Sequence, residues 1–345
     1  MRYRSLPGLA ALVCAVLLVP ATPAIANSSD SADSAYTFGV IGDIPYGAAQ
    51  LAEFPSMVSE LNEQDELRFI AHVGDIKAGS EQCTDERLGL VKEELDRLRT
   101  PLVFTPGDNE WVDCHRANNG AYNPLERLDT LREMFFPVVN KTLGGTMQVD
   151  SQADIGLPEN VQFTKNRVAF SVVNLQGSNN SLAPWTGLGL TEPTSEQLEE
   201  VALRTEANLD QLNETFAKAK RSHARAVVVM TQADMFTPGF EDESLDNPES
   251  VSGFKPFVEA LASESKAFGG PVYLVNGDSH VFNQDAPLAA GSPWLEVYDV
   301  APVPNLQRVT VEGAATSKEW LRVSIAPNSA EAEGVLSWER VPFTS

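Results

Sequence analysis

Five runs of β-branched and apolar residues punctuate the chain, and each closes on a polar cluster. Thr37–Ile41 runs into Gly42-Asp43, Arg68–Val73 into Gly74-Asp75, and Leu102–Thr105 into Gly107-Asp108, while Ala226–Met230 precedes Gln232 and Val272–Val275 precedes Gly277-Asp278. Short runs of this kind, bounded by turn formers, read as strands. Helical spacing of apolar positions fills the intervals at Ala48–Gln64, Asp85–Arg99 (with Thr84 as its cap), Pro124–Phe136, Ser195–Arg221 and Phe254–Phe268. Strand and helix in alternation predict an α/β fold with a largely parallel or mixed sheet. Two regions depart from the alternation, 160–175 and 293–340. There Val168–Val173, Arg308–Val311 and Trp320–Ile325 read as strands with no helix between them. A mixed sheet, or two stacked sheets, is therefore expected rather than a plain doubly wound one. No internal repeat or Pro/Gly linker divides the chain, so residues 36–345 are expected to form a single domain with a β-rich C-terminal part at about 293–340.

The residues before this pattern have a different character. Arg2 and Arg4 precede an apolar stretch from Leu9 to Val19, followed by Pro20 and the small-residue run Ala24-Ile25-Ala26. A basic start, a short apolar segment and an A-x-A site predict a secretory signal peptide over residues 1–26, cleaved after Ala26. The apolar stretch is too short to span a bilayer. Residues 27–35, rich in Ser, Asp and Ala, are expected to be a disordered leader. The mature chain would be secreted or periplasmic, with no transmembrane segment. Export also simplifies the cysteines: Cys14 leaves, and Cys83 and Cys114 are left in an oxidising compartment, where a disulfide between them is the expectation and two buried thiols the alternative.

Composition adds the sign of the surface. The 345 residues include 48 Asp+Glu against 25 Lys+Arg, a net charge of −23, which becomes −25 once Arg2 and Arg4 are removed. A hydrophobic content of 43 % excludes wholesale disorder, and ordinary Gly and Pro usage excludes a collagenous chain. With no basic patch, a stable nucleic-acid complex is not expected.

Gly-Asp occurs four times, at 42–43, 74–75, 107–108 and 277–278, where the composition gives roughly one by chance. All four follow a strand-like run. Ligands of α/β sheets bind at the carboxyl ends of strands, and carboxylates gathered at one rim must either take up protons or be neutralised by cations. Convergent Asp residues are how hard divalent ions are held.

The order strand–Gly-Asp, strand–Gly-Asp, strand–Gly-Asp-Asn-Glu, strand–Gln, strand–Gly-Asp-Ser-His resembles the calcineurin-like metallophosphoesterase family in a divergent form, over roughly residues 36–283. The resemblance implies a four-layer αββα sandwich with two stacked mixed β-sheets, two metal ions at the strand ends, and a metal-bridging hydroxide that attacks phosphorus. Asp43 falls on the family's first metal-binding Asp, but Pro45 stands where a His is usual. Asp75 falls on the Asp that bridges both metals. Asp108 replaces the ligand Asn, and Asn109 the His that binds or protonates substrate. Gln232 and Asp278 stand at ligand-His positions, and His280 is retained. The implied metal set is therefore Asp43, Asp75, Asp108, Gln232, Asp278 and His280. Five oxygen donors and one imidazole suit one or two Mn²⁺, Mg²⁺ or Ca²⁺ ions better than Zn²⁺ or Fe.

The catalytic residues follow less directly. Asn109 can donate a hydrogen bond to a phosphoryl oxygen but has no proton to give an alkoxide. His115, on the same loop, is either a substitute general acid or a half-buried loop histidine. Lys77 and Arg116 are either phosphate contacts or surface charges. His72 reads as a packed strand residue and His223 as a solvated one. Two functions follow: a secreted or periplasmic metal-dependent hydrolase acting on a phosphate-ester small molecule or lipid headgroup, or a catalytically silent relative with a metal-binding or structural role.

Overall fold

The computed structural model describes residues 36–236, 245, 247–327 and 334–344. The expected signal peptide and leader lie outside the described residues. Two mixed sheets face each other. The first has the order β13–β12–β1–β2–β3–β4, with β1 (Tyr36–Ile41), β2 (Leu67–His72), β3 (Pro101–Phe104), β4 (Leu143–Gly144), β12 (Glu319–Ile325) and β13 (Leu336–Pro342). The second has the order β10–β11–β9–β8–β7–β6–β5. Its strands are β5 (Asp150–Gln152), β6 (Leu157–Lys165), β7 (Val168–Val172), β8 (Ala226–Met230), β9 (Val272–Asn276), β10 (Asn283–Asp285) and β11 (Leu306–Thr310). In the first sheet β1, β2 and β3 run parallel. In the second, β7, β8, β9 and β11 do so.

The central strands β1, β7, β8 and β9 are buried along their whole length, and such strands demand cover on both sides. All five positions of β8, Ala-Val-Val-Val-Met, are buried. Between the sheets Phe38, Phe69 and Phe170 form the centre of the inner layer, Phe38 stacked on Phe69 at 4.6 Å between centroids and Phe170 edge-on to Phe69 at 5.4 Å. Three helices cover the outer face of the first sheet: α1 (Gly47–Asn62), α2 (Asp85–Leu95) and α3 (Pro124–Phe135). They contribute Phe54, Leu88 and Leu131 to a second core. The second sheet is covered by α4 (Ser195–Arg221) and α5 (Lys255–Phe268), through Leu212, Phe216, Val258 and Leu261. Helix, sheet, sheet, helix is the four-layer order that the family resemblance implies.

Local signals fix several boundaries. Thr84 Oγ1 accepts the Arg87 N–H and starts α2. Thr194 and Gln197 form a reciprocal capping box for α4. The C-terminal strands do not all join the second sheet. β10 and β11 do extend that sheet, but β12 crosses back and lies antiparallel to β1, with β13 outside it. Without β12, one edge of the buried β1 would leave a row of backbone groups unpaired.

Candidate metal centre

Both sheets bring the carboxyl ends of their parallel strands to one rim. The loops after β1, β2 and β3 carry Asp43, Asp75 and Asp108, and the loops after β8 and β9 carry Gln232 and Asp278 with His280. Asp43, Asp75 and Asp278 have φ of 54°, 60° and 76°, so the left-handed residue of these turns is mostly the aspartate itself. Such strain persists where the surroundings over-determine it, and it concentrates at functional sites. The neighbouring glycines serve close approach: a Cβ on Gly107 would lie 2.0 Å from Asp75 Oδ1, and one on Gly277 2.4 Å from Asp43 Oδ2.

The ligating atoms fall into two groups, each within 4.8 Å: Asp43, Asp75 and His280, and Asp75, Asp108 and Asp278. Asp75 belongs to both. Burial, then the charges of Asp108, Glu110, Asp43 and Asp278, push the Asp75 carboxyl well above the usual range. Burial, then Asp108 and Asp43, do the same to Asp278. Burial also raises Asp43, against the hydrogen bond and charge of His280. For His280 burial opposes the charged form, but the Asp43 carboxylate, 3.4 Å from Nε2, holds the imidazole pKa above its ordinary value. Carboxylates in this condition need protons or cations, and the donor set (hard oxygens with one imidazole) fits divalent ions.

The other expected residues are placed as follows. Gln232 accepts the Gly177 N–H at 2.6 Å and donates Nε2 to Asp108 Oδ1 at 3.1 Å. Turning the amide over would oppose two donors at one end and two acceptors at the other. Gln232 thus supports Asp108, and its carbonyl is engaged by Gly177. Asn109 is buried and donates Nδ2 to Asp75 Oδ2 at 2.7 Å and to Tyr46 Oη at 2.8 Å. His115 turns Nδ1 to the Gly187 N–H at 3.1 Å and belongs to neither group. Burial, then Arg116, lowers its pKa. Arg116 is 45 % exposed and pairs with Asp113 at 2.6 Å. Lys77 is not a surface charge. It is fully buried, its Nζ donates to the Ala78 carbonyl at 3.0 Å, and burial pushes its pKa down against the pull of Glu110 and Asp75. Cys83 and Cys114 form a disulfide, and both sulfurs rest against the Asn109 carbonyl oxygen at 3.6 and 3.7 Å.

Four contributors escaped the sequence reading. Tyr46, one residue past Pro45, donates Oη to Asp75 Oδ2 at 2.8 Å and stands 3.2 Å from His280 Nε2. Glu110 accepts the N–H groups of Asp75 and Gly107 with one oxygen, tying two of the Gly-Asp loops together. Burial lifts its pKa to about 7. Ser178 Oγ lies between Asp108 and Asp113. The Asp234 N–H is donated to Asp278 Oδ2 at 3.1 Å, and the Asp234 side chain is paired with buried Arg308. Only Glu110 had a signal, being the last residue of the Gly-Asp-Asn-Glu cluster.

Among solved structures, a dimetal phosphatase from Danio rerio resembles this chain with a TM-score of 0.50 at 12 % identity, over 90 % of this chain and 99 % of that one. GAP50, the anchor in the inner membrane complex of Plasmodium, gives 0.45 at 10 % identity, over 90 % of each chain. A 5'-nucleotidase precursor from Thermus thermophilus gives 0.43 at 12 % identity, over 90 % of this chain and 54 % of that one. No family model and no curated protein matches the sequence. The likeness to the dimetal phosphatase establishes the fold, which is that of the calcineurin-like metallophosphoesterases. Among the described residues, no helix is long and apolar enough to cross a membrane.

Proposed function

We propose that this chain is an exported, metal-dependent phosphoesterase. The observation that carries the reading is Asp75, buried and common to two groups of metal-competent side chains at the strand ends of a metallophosphoesterase fold. Asp43, Asp75 and His280 would hold one divalent ion, and Asp75, Asp108 and Asp278 the other, with Gln232 steadying Asp108. The oxygen-rich set favours Mn²⁺, Mg²⁺ or Ca²⁺ over Zn²⁺ or Fe. When bound, such a pair supplies Lewis acidity toward phosphoryl oxygens and acidifies water for attack on phosphorus. The Asn109 amide would orient the phosphoryl group by exchanging its hydrogen bond to Asp75 or Tyr46 for one to the substrate. With Lys77 buried, Arg116 is the candidate contact for the phosphate charge at the mouth of the site. The substrate class is a phosphate-ester small molecule or lipid headgroup. Export rests on the signal-peptide pattern of residues 1–26 and is supported by the disulfide, which belongs to oxidising compartments.

One observation favours a catalytically silent metal-binding protein. Asn109 cannot protonate a leaving group, its amide is already engaged by Asp75 and Tyr46, and His115 faces Gly187. The experiment that separates the readings is metal analysis of the purified protein, with hydrolysis of chromogenic phosphomonoesters and phosphodiesters in added Mn²⁺, Mg²⁺ or Ca²⁺. Stoichiometric metal is expected, with turnover that Asp75→Asn lowers by more than the about 100-fold at the upper end for outer-sphere partners. Metal without turnover establishes the silent reading, and absence of metal refutes both.

A further inference from the structure

The loop after β7 meets the second metal group in an unusual backbone state. Ser178, Asn179, Asn180 and Ser181 all have positive φ, of 52°, 53°, 56° and 67°. None is glycine, so the conformation has to be imposed from outside. Asn180 is clamped by the buried Arg204 guanidinium and donates Nδ2 to the Gly253 carbonyl at 3.1 Å, while Asn179 Oδ1 accepts the Gly253 N–H at 2.7 Å. On the inner side, a Cβ on Gly177 would lie 2.7 Å from Asp108 Oδ2 and 2.9 Å from Asp278 Oδ1, so this backbone abuts both outer carboxylates of the group. The held conformation delivers one side chain into the site. Ser178 Oγ lies 2.9 Å from Asp108 Oδ2 and 2.8 Å from Asp113 Oδ1, and Asp113 Oδ2 is fixed by Arg116 at 2.6 Å.

A hydroxyl has one proton and two lone pairs, so Ser178 can donate to only one of these carboxylates. When it donates to Asp113, its lone pairs face the Asp108 oxygen, an arrangement that repels unless a proton or a cation lies between them. Oxygens on adjacent sites of an octahedral ion, with metal–oxygen distances of 2.0–2.1 Å, stand roughly 2.9 Å apart, which is the spacing of Ser178 Oγ and Asp108 Oδ2.

We infer that Ser178 is a neutral oxygen donor of the second metal position, beside Asp75, Asp108 and Asp278, with Asp113 accepting its hydrogen bond and Arg116 holding Asp113. The assignment rests on the two-metal reading above. It makes the second position entirely oxygen-lined, whereas the first keeps the His280 imidazole.

The test is calorimetric titration of metal-stripped protein with Mn²⁺, followed in parallel by electron paramagnetic resonance of the bound ion. Ser178→Gly removes the hydroxyl while easing the positive φ. Wild type is expected to bind two ions. In the variant one ion should lose about tenfold or more in affinity, the other should be unchanged, and the melting temperature of the metal-free protein should not fall. Two ions bound as in wild type would overturn the assignment and leave the two-metal reading intact. Equal weakening of both ions, or a lower metal-free melting temperature, would make Ser178 a structural residue and also overturn it. One ion or none in wild type would refute the two-metal reading itself.

Discussion

His72 lies in β2, three residues before Asp75, and its role is thermodynamic. Nε2 donates to the Ile44 carbonyl at 2.9 Å, which leaves Nδ1 as a bare acceptor and the ring neutral. Burial pushes its pKa down to about 4, against about 6.5 in an unfolded chain. Between those values the unfolded chain takes up a proton that the folded one refuses. Its share of stability is therefore fully present above pH 6.5 and is lost as the pH falls to about 4, by roughly 3 kcal/mol. Urea unfolding of His72→Gln across that window should show a shallower loss than wild type, and parallel curves would exonerate the imidazole. The packed strand position of His72 was legible, because its neighbours in Arg68–Val73 are strand formers. Tyr46 and Ser178 were not. Each acts through one side-chain tip on a loop, where no hydrophobic period fixes direction, and Asp75 and Asp108 become their neighbours only after the sheets assemble.

The elements that build the centre are loops, and two of them are joined covalently. The Cys83–Cys114 bridge ties the segment after Asp75 to the segment after Asp108, closing 31 residues of chain. Both sulfurs touch the carbonyl of Asn109, whose side chain reaches Asp75. In the chain-entropy view a loop of this length contributes roughly 3–4 kcal/mol. The Cys83→Ser/Cys114→Ser double variant, metal-free, should unfold at correspondingly lower denaturant, and an unchanged midpoint would mean the bridge adds nothing. Strand and helix identities were readable because apolar runs and capping residues are local: Ala226–Met230 and Ser195–Arg221 fall on the observed bounds. The course of the C-terminal strands was not readable. The strands of both sheets share one buried, β-branched pattern, and nothing local tells Trp320–Ile325 to pair with β1 while Leu306–Thr310 pairs with β9.

For the molecule as a whole, the acidic balance divides into a surface and a centre. Most of the 48 acidic residues lie outside the two metal groups, but Asp43, Asp75, Asp108 and Asp278 come from distant parts of the sequence to one rim because two parallel strand arrays end there. Four Gly-Asp pairs at strand ends made that convergence visible in the sequence; the division into two groups sharing Asp75 is a property of the assembled sheets. The central claim is that these carboxylates hold a pair of cations about Asp75. Anomalous diffraction from crystals soaked in Mn²⁺ tests it most directly. Two manganese peaks are expected, one bounded by Asp43, Asp75 and His280 and one by Asp75, Asp108 and Asp278. An empty rim at saturating Mn²⁺, or manganese bound only away from Asp75, would contradict it.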